Sequence, residues 1–346
     1  MKAIILAAGL GTRLLPLTAI LPKCLMPING VPLLAYWLKR LSDAGVSPVL
    51  INLHYYRNFV LEWIEQSSFK GHIQTSVEEM LLGTAGTVLN NKAFINDEPL
   101  MLIHGDNLSM ADIRKFMAAH ASRPGNAALT MMTFETCYPE NCGIIKKDVH
   151  GIVREFYEKV ESPPGNLANG AIYILEPEVV DFLTTLNSPF IDFSTEVLPV
   201  YTGRIYTWHN GGYHRDIGCP DSLLDAQIEY PGLTLDSVKN SFWGRVCDET
   251  ISFQMVEALA DYFSARIVNG DGQTKESIVD SLVSSEKKNI LSFHNFPSNT
   301  DEILDAVKTE CANSSPLIFF FRVPQGFSSR KQFDTYHLKS LAMRIG

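Results

Sequence analysis

The first two dozen residues constrain this chain more than any other segment. Lys2-Ala3-Ile4-Ile5-Leu6 is a short apolar run, followed by Ala7-Ala8-Gly9-Leu10-Gly11-Thr12-Arg13, then Pro16-Leu17-Thr18 and Pro22-Lys23. An apolar run that breaks into two glycines reads as a buried strand ending in a tight turn. Glycines let the backbone come close to a ligand, and successive N–H groups in such a turn cradle phosphate oxygens. Arg13 offers a planar fork for a polyphosphate, and Lys23 a compact charge for a single phosphoryl group. Strand, glycine turn, arginine, lysine is the order a nucleoside triphosphate site needs. The dinucleotide fingerprint G-x-G-x-x-G does not fit. Leu14 stands at its third position, and Pro16 and Pro22 stop a long helix from starting at the glycines.

Strand and helix signals alternate after this turn. Strands are predicted at 3–7, 48–53, 99–104 and 127–134, and helices at 33–44, 59–66 and 110–120, with Gly45 ending the first helix. This alternation predicts the α/β class, a Rossmann-like, mainly parallel sheet flanked by helices, with ligands beyond the carboxyl ends of its strands. Gly9 and Asp106 both fall at such ends. A length of 346 residues suggests two domains. Composition shifts at Tyr230-Pro231-Gly232, dividing the chain into 1–230 and a smaller α/β domain, 233–346, of no evident role. In the latter, strands are predicted at 265–268, 289–293 and 317–323, and helices at 275–284 and 300–308. Phe319-Phe320-Phe321 reads as core strand, since nothing basic interleaves it.

A net charge of −9 argues against a general nucleic-acid or membrane-surface binder. The six cysteines are scattered without a C-x-x-C pair, as reduced thiols are. Met1 leads straight into an apolar strand, leaving no room for a signal peptide, and no apolar stretch nears the roughly 20 residues that span a bilayer. These features predict a cytoplasmic protein.

Several later segments carry chemistry. His104-Gly105-Asp106-Asn107 places a carboxylate at the end of an apolar strand, where it can hold a divalent cation near phosphates. Asp216, in Tyr213-His214-Arg215-Asp216-Ile217-Gly218, is a second candidate, provided the fold brings the two together. Asp221 suits the cap of a helix at 222–228 instead. Glu78-Glu79 precede Leu82-Gly83-Thr84-Ala85-Gly86, a glycine loop whose backbone can read a base edge or simply open a helix. Glu158-Lys159 sets an acid beside a base; strand alternation points their side chains apart and predicts no ion pair between them. Asn169-Gly170 opens an apolar strand at 171–175. The histidines show no metal-ligand spacing.

Taken together, these segments resemble the sugar-1-phosphate nucleotidylyltransferases, which make nucleotide sugars. The resemblance lies in Leu6-Ala7-Ala8-Gly9-Leu10-Gly11-Thr12-Arg13, Pro16-Leu17-Thr18, Pro22-Lys23, Gly83-Thr84-Ala85-Gly86, Gly105-Asp106-Asn107, Cys142-Gly143-Ile144-Ile145, Glu158-Lys159, Asn169-Gly170 and Asp216-Ile217-Gly218. These stand in family order over the first two-thirds of the chain. The wording around 158–175 and 215–221 looks most like the mannose-1-phosphate guanylyltransferase branch. The resemblance implies that Leu6, Ala8, Gly9, Gly11 and Thr12 wrap the nucleotide, while Glu79, Gly83 and Gly86 border its base. It implies that Arg13 holds the departing pyrophosphate and that Lys23 neutralises charge at the α-phosphoryl group. Asp106 and Asp216 would bind Mg²⁺, and Gly143, Glu158, Lys159 and Asn169 would form the sugar-phosphate pocket. Val160 replaces the proline often found after Glu-Lys. The hexapeptide-repeat β-helix that ends many relatives is not seen in the sequence.

The implied reaction joins a nucleoside triphosphate, with GTP favoured, to mannose or manno-heptose 1-phosphate, giving the nucleotide sugar and pyrophosphate. One rival is a thymidylyl-, uridylyl- or cytidylyltransferase acting on glucose 1-phosphate or another phosphate acceptor. Another is a non-catalytic subunit that binds a nucleotide sugar, although Arg13, Lys23 and both aspartates are retained. The expected partners are these two substrates, with no nucleic acid and no membrane, and self-association is left open.

Overall fold

The computed structural model describes residues 1–28 and 31–230, and beyond them 258, 260–262, 266–270, 272–283, 289–292, 302–303, 306 and 317–318. In chain order the described strands are β1 (Lys2–Leu6), β2 (Pro27–Ile28), β3 (Val31–Pro32), β4 (Val49–Leu53), β5 (Ile73–Val77), β6 (Leu100–His104), β7 (Asn107–Ser109), β8 (Leu129–Glu135), β9 (Gly143–Lys147), β10 (Val153–Glu158), β11 (Leu167–Leu175), β12 (Ile205–His209), β13 (His214–Asp216), β14 (Arg266–Asn269), β15 (Asn289–Ser292) and β16 (Leu317–Ile318). The helices are α1 (Leu33–Asp43), α2 (Arg57–Gln66), α3 (Thr84–Asn90), α4 (Lys92–Ile95), α5 (Ile113–Ala121), α6 (Pro177–Leu183), α7 (Pro220–Glu229) and, labelled here α8, Lys275–Val283.

The chain forms two compact units, Met1–Gly9 with Leu34–Asp216, and Leu10–Leu33 with the chain from Ile217 onward. In the first unit one sheet runs β10-β9-β11-β6-β1-β4-β5, with β8 pairing both β11 and β12. Strands β6, β1, β4 and β5 are mutually parallel, as the alternation of strands and helices predicts. Their cores, Ala3-Ile4-Ile5, Val49 to Leu53 and Leu100 to Ile103, are buried continuously, the mark of strands covered on both faces. The other half of the sheet is mixed: β11 is antiparallel to both β6 and β8, and β10 is antiparallel to β9, while β12 returns parallel to β8.

Local rules explain where elements start. Helix α1 buries Leu34, Trp37, Leu38 and Leu41, one stripe at helical spacing, and ends ahead of Gly45 at φ +74°. Helix α5 begins three residues later than the predicted 110. Asp112 caps it, accepting from the Lys115 N–H at 3.0 Å, and Met110 N–H donates to the Tyr213 carbonyl at 2.7 Å instead. Helix α7, in the second unit, is capped by Cys219, so Asp221 lies in its first turn and is not the cap.

In the second unit β2 pairs antiparallel with β3, and β14-β15-β16 form a parallel ladder. Strands β14 and β15 and helix α8 match the predicted 265–268, 289–293 and 275–284 to within a residue. Most of the predicted 300–308 helix, and 319–323 with its three phenylalanines, lie outside the described residues. Among the described residues no helix is long and apolar enough to cross a membrane.

Candidate active site

Parallel pairing collects the ends of three strands. Leu6, the last residue of β1, stands beside Asn52 on one side and His104 on the other, so the glycine turn and Gly105-Asp106 leave the sheet at the same edge. Gly105 N–H donates to the Leu6 carbonyl at 2.9 Å. Asp106 is half-buried.

The second aspartate comes to the same edge by a separate route. Strand β13 pairs antiparallel with β7, setting Asp216 opposite Asn107 and His214 opposite Ser109. The two candidate metal residues are therefore neighbours across a two-stranded ladder, and Asp216 is exposed. Among the described residues no group of three or more His, Cys, Asp and Glu side chains is arranged to hold a metal ion. Two carboxylates are a donor set that fits Mg²⁺, which keeps several waters and seldom takes an all-protein cage.

The predicted sugar-phosphate residues also converge. Gly143 and Glu158 face each other across β9 and β10, and Ala168 of β11 pairs with Ile144. A Cβ at Gly143 would stand 2.8 Å from Glu158 Oε2 and 2.9 Å from the Phe156 ring, so only glycine lets that carboxylate lie over the strand. Contrary to the strand-based expectation, Lys159 Nζ lies 3.3 Å from Glu158 Oε1. The reason is local: β10 ends at Glu158, and Lys159 takes a left-handed φ of +49°, which turns its side chain back. Asp216 and Glu158 both act on the Cys142 thiol, whose pKa is raised chiefly by burial and further by these two carboxylates, against opposing effects from Thr136 and Lys159. The candidate metal residue Asp216 and the candidate sugar-phosphate residue Glu158 therefore both lie within electrostatic reach of that thiol.

His214 had no place in the sequence reading. Its ring lies 4.4 Å from that of Phe134, and its Nδ1 is buried with no hydrogen-bond partner among the described residues. Burial draws its pKa down to about 3 against the pull of the Asp106 carboxylate, so the ring is neutral.

On the nucleotide side, the structure separates the two glutamates. Glu79 is exposed and ion-paired with Arg57 at 2.8 Å. Glu78 is the one brought to the glycine loop. It is 4% exposed, and its Oε1 accepts from Asn52 Nδ2 at 3.0 Å and from Thr87 Oγ1 at 2.6 Å. Asn52 Oδ1 in turn accepts from the Ala7 N–H at 2.7 Å. One buried network thus joins the first residue of the glycine turn to α3. Gly83 packs closely on the Ile191 backbone, and the N–H groups of Ala85 and Gly86 both donate to the Ile191 carbonyl. An asparagine inside the apolar run Val49-Leu50-Ile51-Asn52-Leu53 was the available sequence signal for this network.

Leu6, Ala8 and Gly9 belong to the first unit, and Gly11, Thr12, Arg13 and Lys23 to the second. Within the second unit, Gly11 has φ +65°, and a Cβ there would stand 2.7 Å from Thr18 Cγ2 and 3.4 Å from Lys23 Cβ. Thr18 Oγ1 donates to the Gly11 carbonyl at 2.9 Å. Arg13 is exposed on the short 3-10 turn Thr12–Leu14, and Lys23 is half-buried.

A family model described as nucleotidyl transferase matches residues 2–231. The mannose-1-phosphate guanylyltransferase of Mycobacterium tuberculosis is 30% identical over 227 residues, covering 64% of this chain and 62% of that protein. The chain thus spans just over three fifths of that curated relative. Among solved structures, HddC from Yersinia pseudotuberculosis complexed with GMP-PN is 26% identical, with 65% of this chain and 97% of that chain covered at a TM-score of 0.56. A UDP-glucose pyrophosphorylase complexed with UDP-glucose, 21% identical, covers 65% and 96% at a TM-score of 0.56, a likeness of fold.

Proposed function

Because this chain belongs to the nucleotidyl transferase family, we propose that it transfers a nucleotidyl group from a nucleoside triphosphate to a sugar 1-phosphate, releasing pyrophosphate. The observation that carries this reading is the β7–β13 ladder, which sets Asp216 beside Asp106 at the sheet edge shared with Gly143, Glu158 and Asn169. GTP and mannose or a manno-heptose 1-phosphate are the favoured pair. A guanylyltransferase relative and a structural relative complexed with GMP-PN support that choice.

The sugar-phosphate oxygen is already an anion, so the attack on the α-phosphorus needs no strong general base. Catalysis then consists of positioning and charge neutralisation. Asp106 and Asp216 would hold Mg²⁺, which when bound supplies positive charge to the phosphates. Gly9, Gly11 and Thr12 offer backbone donors to the triphosphate, Arg13 binds the leaving pyrophosphate, and Lys23 neutralises the α-phosphoryl group. Glu158 accepts a sugar hydroxyl, and Lys159 exchanges its ion pair with Glu158 for the sugar phosphate.

The test is incubation with each of the common nucleoside triphosphates and a panel of sugar 1-phosphates, scored by pyrophosphate release. The reading expects one pair to dominate and Lys23→Ala to lose at least about two orders of magnitude in turnover. No release with any pair, or wild-type turnover in Lys23→Ala, would overturn it. Preference for dTTP, UTP or CTP with glucose 1-phosphate would support the rival within the family.

A further inference from the structure

Asn169 sits at an irregularity in β11. The pairing of β11 with β8 slips between Asn169 and Tyr173, and Ala171 within that stretch has φ +53°. Asn169 Oδ1 accepts from the Ala171 N–H at 3.0 Å, which fixes the sense of the amide. Nδ2 then faces the other way and donates to the Tyr173 hydroxyl at 2.7 Å. Among the described residues the second Nδ2 hydrogen meets no acceptor.

Tyr173 is fully buried, with its ring 4.8 Å from that of Phe193. Burial foremost, with Glu158 and Asp192 nearby, holds the phenol above its ordinary pKa. Phe193, against which that ring packs, belongs to the segment that fastens the Gly83 loop. There, Thr84 Oγ1 donates to Asp192 Oδ2 at 3.2 Å and accepts from the Phe193 N–H at 2.6 Å. Tyr173 thus joins an amide of the proposed sugar-phosphate pocket, at its hydroxyl, to the segment that holds the glycine loop of α3, at its ring.

We propose that the Tyr173 hydroxyl is a positioning group that locks the Asn169 amide so that its spare N–H is presented to the sugar 1-phosphate. This inference rests on the proposed nucleotidyl transfer. It specifies what that pocket reads: Asn169 donates to a sugar oxygen, while Glu158 accepts a sugar hydroxyl. Tyr173 itself touches no substrate.

Tyr173→Phe keeps the ring in its cavity and removes only the hydroxyl. With saturating nucleotide, the KM for sugar 1-phosphate should rise about tenfold, equivalent to about 1.4 kcal/mol, while kcat and the KM for nucleotide stay within about threefold of wild type. In an Asn169→Ala background, adding Tyr173→Phe should change the sugar KM less than about twofold, because the two act as one unit. An unchanged sugar KM, an equal effect in both backgrounds, or parallel damage to kcat and both KM values would overturn the proposal. A second readout does not depend on turnover. The Asn169 side-chain NH₂ signal in nitrogen-15 NMR, assigned by its loss in Asn169→Ala, should be well resolved and exchange slowly in wild type. It should lose that protection in Tyr173→Phe. If wild type turns over no substrate pair while this signal behaves as expected, the transfer reading fails and the positioning stands. A signal indifferent to Tyr173→Phe overturns the positioning by itself.

Discussion

Asp216 lies directly across an antiparallel ladder from Asn107, which makes it the neighbour of Asp106 although the two aspartates are far apart in the chain. A cation site built on this pair needs both members. Asp106→Ala and Asp216→Ala should each lower kcat by at least about two orders of magnitude, the scale of removing one preorganised stabiliser. Steady-state pyrophosphate release checks this, and wild-type turnover in either variant removes the assigned role.

Gly11→Ala should weaken nucleotide binding. Its φ of +65° disfavours a side chain by about 1–2 kcal/mol, before the clash of the new Cβ with Thr18 Cγ2. The KM for nucleoside triphosphate is expected to rise about tenfold or more with the sugar KM held, as measured by varying each substrate in turn.

Gly143→Ala should act on the other substrate. The added methyl displaces the Glu158 carboxylate and the Phe156 ring, so the sugar 1-phosphate KM rises while nucleotide affinity, measured by calorimetry, is retained.

The two adjacent glutamates should part company in thermal unfolding. Glu78→Ala leaves the buried amide of Asn52 and hydroxyl of Thr87 without their shared acceptor, and should cost about 1–3 kcal/mol of stability. Glu79→Ala removes an exposed ion pair and should stay within about 0.5 kcal/mol of wild type.

His120 sets a pH dependence of stability. Its Nε2–H donates to Glu176 Oε1 at 2.9 Å and its Nδ1 accepts from Thr130 Oγ1 at 2.7 Å, an arrangement for the neutral ring. Burial, then the Arg123 charge, lowers its pKa from the ordinary 6.5, with Glu176 opposing. Below about pH 6.5 the unfolded chain takes up a proton that the folded chain declines. Stability should therefore fall as pH drops from about 6.5, and His120→Gln should flatten that slope in urea titrations at several pH values.

The sequence was legible where one element decides the outcome. Apolar runs marked β1, β4 and β6, and the glycine turn marked where β1 leaves the sheet, because burial on both faces and a break to glycine each leave a local signature. What pairing decides was not legible. The antiparallel β11, the Lys159–Glu158 contact and the burial of Glu78 beside an exposed Glu79 depend on which strands meet and where one ends. His214 looked ordinary for the same reason, since only the β7–β13 ladder sets it near Asp106.

That ladder also orders events in time. Its second strand is the last of the first unit to leave the ribosome, so a nascent chain shorter than Asp216 carries one acidic partner without the other. Unfinished polypeptides therefore lack the paired carboxylates, and translation stalled upstream of this point yields products without one member of the proposed cation site.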